Sequence, residues 1–350
     1  MQIIKNNFTQ SRLEYIDLTK LFAIYCVLWG HSLQYMSVDD FTNNNVAKFI
    51  YSFHMPLFMV LSGYFFSSSL KLTFVSLIVK KARQLVLPIF SWTIFIEIMY
   101  SIGKVYNGKN IAIIEFLKNL FLNLDSSFWF LKSLFFCYIL AYIFIKLIKG
   151  EWLACFGALL LCSLHPNVFQ LGFMLPFFFI GIFVKKYFQV IEKHNKLMLF
   201  CSFLVFAIMQ LFWKGNYMIY FCKIPAIYDF KVVSYSHRMG VAVFRFIIGT
   251  AGSVFFILLF RYVCSNVKMN FNLLSILGQY TLGIYIVQCY LLVLLTDYLF
   301  FPPLSPILYN FVLTPITALI LLSICLSVVK FIQRNKYISF LFLGNPLKVK

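Results

Sequence analysis

The sequence predicts an all-α, polytopic membrane protein with about ten transmembrane helices and both termini cytoplasmic. Three observations lead there. Of 350 residues, 62% are hydrophobic and only 12% charged, with a mean hydropathy of +0.87, more apolar surface than a soluble domain can bury. Runs dense in Phe, Leu and Ile recur from end to end, many close to the roughly 20 residues that cross a hydrocarbon core. The cations, finally, fall unevenly on alternate connections.

Spans are expected at about 16–36, 46–67, 84–102, 126–148, 151–165, 171–188, 196–213, 241–263, 276–299 and 306–332, the fifth being short for a full crossing. With the N-terminus in the cytoplasm, nineteen Lys and Arg lie on that side, eight lie on the other, and Lys20, Lys132 and Arg245 fall inside spans. This is the positive-inside distribution of a multi-pass protein of the inner (cytoplasmic) cell membrane. The net charge of +19 therefore reflects topology, and lipid rather than nucleic acid is the expected surrounding. No polar stretch is long enough for a separate soluble unit, so residues 1–350 read as one integral membrane domain with a core of about 12–335. No signal peptide is evident, because the first apolar run is full length and no small-residue cleavage site follows it. The nine cysteines show no C-x-x-C spacing and lie mostly in spans, as small packing residues do.

The first span carries the most informative pattern. Eleven residues separate Lys20 from His31, which at 100° per residue returns to within about 20° of the same helix face. At 1.5 Å per residue the two stand about 16 Å apart along the axis, roughly half the hydrocarbon thickness. Ionisable groups are costly there and mark functional positions. They fall into two layers. The cytoplasmic layer holds Arg12, Asp17 and Lys20, the last two able to pair at i,i+3, together with Lys80, Lys81 and Arg83 before Pro88. Such cations can hold the phosphates of a nucleotide-bearing donor. The outer layer holds His31, His54, Glu97, Lys132 and Arg245, all about 5–12 Å below the outer surface by helical rise, and is expected to share one polar cavity.

Residues 103–125 and 214–240 read as the two longest polar connections, both facing away from the cytoplasm. Their Tyr106, Asn107, Asn110, Asn123, Asp125, Asn216, Tyr217, Tyr228, Asp229, Tyr235 and His237 suit a carbohydrate surface, and equally an interfacial belt.

A His titrating near neutrality is suited to general-base work on a hydroxyl. No H-x-x-x-H metal spacing, G-x-S-x-G elbow or P-loop is present in the sequence, so no metal is expected. Acyl transfer from a cytoplasmic thioester to an outward-facing hydroxyl fits two polar layers without any of these. A transporter or flippase for a glycolipid or small solute is the alternative, because transport paths also use intramembrane ionisable groups. Internal repeats and paired Gly/Pro-broken segments, common in carriers, are not found.

Several segments resemble the acyltransferase-3 family of integral membrane acyltransferases over nearly the whole chain. Lys20 and His31 match a basic residue, ten intervening residues and a His. Phe53-His-Met-Pro-Leu-Phe58, continuing to Ser62-Gly-Tyr64, is close to a second family segment, and Lys80-Lys-Ala-Arg83…Pro88 to a third. Weaker echoes are Phe128-Trp-Phe-Leu131, Phe177-Phe-Phe-Ile-Gly181 and Leu277-Gly-Gln-Tyr-Thr-Leu-Gly-Ile-Tyr285. The resemblance implies a ten-helix enzyme that moves an acyl group, commonly acetyl, from cytoplasmic acyl-CoA to a hydroxyl of a cell-surface glycan or lipid-linked sugar. It implies His31 as the catalytic His and Lys20 as its basic partner, with Lys80 and Arg83, beside Arg12 and Lys20, on the donor side. Asp17 is expected to position Lys20, and Glu97 or His54 to orient His31. Departures are Lys20 for the commoner Arg, Leu21 where Gly often follows, and Gln288 where His is frequent. An extra extracytoplasmic domain, present in some members, is not expected here.

Overall fold

The computed structural model describes residues 13–36, 41–108, 112–219, 221–229, 232–267, 271–296 and 305–347. Among them every regular element is helical. In chain order these are α1 (Glu14–Tyr35), α2 (Asn45–Tyr64), α3 (Phe74–Lys81), α4 (Leu87–Tyr106), α5 (Ile113–Ser126), α6 (Trp129–Leu147), α7 (Glu151–Cys162) and α8 (Leu171–Lys186). There follow α9 (Phe188–Lys193), α10 (Asn195–Gln210), α11 (Val232–Asn266), α12 (Asn272–Leu277), α13 (Thr281–Thr296), α14 (Pro306–Leu308), α15 (Thr314–Gln333) and α16 (Lys336–Leu343).

Seven segments among the described residues are long and apolar enough to cross a membrane. Helices α7 and α10 are apolar but shorter, and α1 is not among the seven. Asp17, Lys20, His31 and Gln34 make α1 less apolar than its neighbours. Each expected span nonetheless overlaps a helix.

The largest correction falls on residues 103–125, expected as a loop. Helix α4 runs on to Tyr106, and Ile113–Ser126 is the amphipathic helix α5. Its Ile113, Leu117, Leu120, Phe121 and Leu124 recur at three- and four-residue steps, a helical period that Glu115, Lys118 and Asp125 punctuate. Asn110, also expected in that loop, lies outside the described residues.

Helix α2 packs most extensively against α8. A Cβ on Gly63 would come within 1.9 Å of the Phe178 carbonyl oxygen, and one on Gly181 within 2.0 Å of the Val60 oxygen. Both glycines therefore serve backbone-to-backbone contact, as small residues do between membrane helices. Helix starts are set locally. Asn44 Oδ1 accepts from the Val46 and Ala47 N–H groups at the head of α2, and Thr73 Oγ1 from the Ser76 N–H at the head of α3. A π-turn at Ala82–Val86 joins α3 to α4, widening the helix there. All nine cysteines are free thiols.

Candidate active site

Helix α1 borders two cavities, one near each of its ends. At the C-terminal end lies a cavity of about 1490 Å³ lined by His31, Gln34, His54, Glu97, Asn123 and Gln288, among others. At the N-terminal end lies one of about 370 Å³ lined by Asp17, Lys20, Lys81, Gln84 and Gln279. Tyr285 borders both.

In the larger cavity His31 Nδ1 stands 3.3 Å from Gln34 Oε1. The same oxygen accepts from Tyr51 Oη at 3.1 Å. With Oε1 as the shared acceptor, His31 carries its proton on Nδ1 and keeps the Nε2 lone pair. His54 is set the same way, its Nδ1 standing 2.7 Å from the Ile50 carbonyl oxygen. Two imidazoles thus offer unprotonated Nε2 atoms at one cavity. Glu97, 3% exposed, accepts from Asn123 Nδ2 at 3.0 Å, and a Lys104–Glu115 ion pair at 2.9 Å also joins α4 to α5.

Three of the five outer-layer groups therefore share the cavity, and two do not. Lys132 turns back to donate to the Leu124 and Asp125 carbonyls, at 2.5 Å each, satisfying the C-terminal end of α5. Arg245 stacks over the Phe173 ring at 3.8 Å, away from the residues that line the cavity. Residue depth from helical rise places a group along the axis but leaves its bearing open, so depth alone does not assign Lys132 and Arg245 to the cavity. Gln34 and Tyr51 were missed, although Gln34 follows His31 by the three residues that put it on the same face. Gln34, rather than Glu97 or His54, is the side chain hydrogen-bonded to His31.

In the smaller cavity Lys20 Nζ pairs with Asp17 Oδ1 at 3.2 Å, the i,i+3 contact expected from sequence, and lies 5.1 Å from the Phe65 ring centroid. Asp17 is 4% exposed. The Gly278–Tyr280 turn approaches α1 so closely that a Cβ on Gly278 would come within 2.0 Å of the Asp17 carbonyl oxygen. Lys81 joins the lining, its Nζ 3.6 Å from the Tyr138 ring centroid. Lys80 and Arg83, expected here, lie outside the lining. The wide turn at Ala82–Val86 directs Lys81, Gln84 and Leu85 to the cavity instead. Arg12 lies outside the described residues.

Tyr285 does not separate the cavities alone. Phe128, with a left-handed φ of 52°, turns the chain from α5 into α6. Phe128 and Trp129 line the larger cavity and Phe130 the smaller, and Phe130 meets the Tyr285 ring edge-on at 5.6 Å. The Phe-Trp-Phe and Gly-Ile-Tyr segments thus form one aromatic partition.

The acyltransferase domain model of the acyltransferase-3 family matches residues 13–331, a stretch that takes in both cavities. The chain belongs to the acyltransferase-3 family. With seven helices long and apolar enough to cross a membrane, this acyltransferase-3 protein is an integral membrane acyltransferase, and its reaction consumes an acyl donor. A carrier function is displaced accordingly. The chain is 26% identical over 291 residues to the "Nodulation protein NolL" of Sinorhizobium fredii (strain NBRC 101917 / NGR234), covering 78% of this chain and 76% of that one. It is 33% identical over 136 residues to the protein of the same name from Mesorhizobium japonicum (strain LMG 29417 / CECT 9101 / MAFF 303099), covering 38% and 36%. No solved structure matches it. Among the described residues no group of three or more His, Cys, Asp or Glu could hold a metal ion.

Proposed function

We propose that this protein moves an acyl group, acetyl in the first instance, from cytoplasmic acyl-CoA to a hydroxyl of an extracytoplasmic glycan or lipid-linked sugar. His31 is the general base of that reaction. The observation that carries this reading is the pair of cavities on one face of α1, basic at Lys20 and imidazole-lined at His31, meeting at Tyr285. The positive-inside bias supports the orientation, with the Lys20 end cytoplasmic in the inner membrane. Residues 1–350 act as one membrane domain.

The donor's phosphates rest against Lys20 and Lys81, with Asp17 holding Lys20 in place. Lys80 and Arg83 supply the surrounding positive field at the cytoplasmic rim. The acyl thioester reaches past Tyr285 to His31. An acceptor hydroxyl gives its proton to His31 Nε2 as its oxygen attacks the thioester carbon. The C–S bond then breaks, and the imidazolium returns the proton to the departing thiolate, leaving an ester and free CoA thiol. Gln34 keeps Nδ1–H engaged throughout, so that Nε2 is the atom that accepts. Glu97 and His54 line the acceptor's side of the cavity, where a carboxylate and a second imidazole can bind hydroxyls.

The test is transfer of label from acetyl-CoA to surface glycan in cells and in proteoliposomes. Wild-type protein should label glycan, and His31→Ala should lose at least 100-fold in rate, the lower range for removing a general base. Wild-type rates in purified His31→Ala would overturn the reading.

A further inference from the structure

Gln288 sits on α13 one turn beyond Tyr285, in the wall of the His31 cavity. It is 1% exposed, and its Oε1 is buried without a hydrogen-bond partner. Gln288 Nε2 donates to Cys289 Sγ at 3.3 Å, and that thiol donates to the Tyr285 carbonyl at 3.2 Å, which leaves the amide oxygen as the unpaired atom. The atom left unpaired is therefore a pure acceptor. Buried acceptors without partners are rare in native proteins and costly to keep; in a substrate cavity the missing partner is the natural complement of a ligand O–H or N–H.

We infer that Gln288 Oε1 accepts a hydrogen bond from a second hydroxyl of the acceptor, beside the one His31 deprotonates, so that the enzyme selects substrates carrying at least two neighbouring hydroxyls. The inference rests on the proposed hydroxyl-to-His31 transfer and adds a recognition element to it. Two donors could reach this oxygen: an acceptor hydroxyl, or an amide N–H of the acyl carrier's arm. Position favours the hydroxyl. The part of α13 that borders the Lys20 cavity ends at Tyr285, whereas Gln288 shares its wall with His54 and Glu97.

The experiment uses purified protein in liposomes with acetyl-CoA as donor, and cis-1,2-cyclohexanediol and cyclohexanol as acceptor probes. Wild type should acetylate the diol roughly tenfold faster per hydroxyl, the worth of one neutral hydrogen bond. Gln288→Met, close in shape but without an acceptor oxygen, should bring that ratio to about one. The ratio is internal to each variant, so a lower yield of folded protein leaves it intact. Equal use of both alcohols by wild type, use of neither, or an unchanged ratio in Gln288→Met overturns the assignment. A rise confined to the KM for acetyl-CoA assigns the oxygen to the carrier arm and overturns it too. His31→Ala, assayed alongside for label reaching cellular glycan, reports separately on the transfer reaction itself.

Discussion

His31 Nδ1 and Gln34 Oε1 stand 3.3 Å apart, one helical turn from each other on α1, and Tyr51 shares the same oxygen from α2. His31, the proposed base, is thereby held by its own helix and steadied by the next. Gln34→Leu should free the ring to change tautomer and lower kcat about tenfold, the loss of roughly 1.4 kcal/mol of orientation. The KM for acyl-CoA should stay near wild type, because Gln34 is remote from the Lys20 cavity. Tyr51→Phe should cost less, since Gln34 keeps its own contact with His31. Steady-state kinetics in proteoliposomes check both.

Charge reversal at Lys20 tests the donor side. Lys20→Glu should raise the KM for acyl-CoA at least tenfold, because it sets two carboxylates, at positions 17 and 20, against the donor's phosphates. Lys20→Arg keeps the charge, and its effect should stay within a few fold. The wild-type KM should rise with salt, since partly exposed ion pairs are screened. Titration of acyl-CoA at low and high ionic strength reads all three outcomes.

The Gly63–Gly181 contact makes a stability prediction. Gly63→Ala places a methyl group where the Phe178 carbonyl lies 1.9 Å away, so α2 and α8 must separate. Overpacking of this kind costs about 1–3 kcal/mol, which should appear as a lower thermal midpoint in detergent. Gly103→Ala, at a helix position with nothing within 4 Å of the added carbon, should match or exceed wild type.

Tyr285 is the one residue of the partition that borders both cavities and gives the sharpest structural test of the two-sided reading. Tyr285→Ala should open that partition and let water reach the bound thioester, raising acetyl-CoA hydrolysis without acceptor. Tyr285→Phe keeps the ring and should leave hydrolysis at the wild-type level. Thiol release in the absence of any alcohol is the measurement.

Much of this arrangement was legible in the sequence, and the parts that were not share a cause. The Lys20–His31 spacing sets one side chain toward each end of α1, where each lines a cavity, because helical angle and rise depend only on residue number. The Asp17–Lys20 pair followed from the same geometry. Residues whose partners lie on other helices were beyond that reasoning. Depth alone groups Lys132 with the histidines, yet it turns to the α5 carbonyls. Lys81 rather than Lys80 or Arg83 reaches the cavity because a π-turn, which propensity does not signal, follows it. Helix α5 was hidden for a different reason: its apolar positions were periodic, but its charges suggested a loop. Gln288 was noticed only as a departure from the family pattern, and its unpaired oxygen becomes visible once Cys289 and Tyr285 are in place.

Since a single unbroken helix bears both Lys20 and His31, the gap between the proposed anchoring point and the proposed reaction point is a fixed length of about 16 Å. Helix α1 is in effect a ruler, and it measures the carrier rather than the acyl group. A thioester on a stub thiol such as cysteamine could not span that gap while seated, whereas lengthening the acyl chain would leave the match untouched.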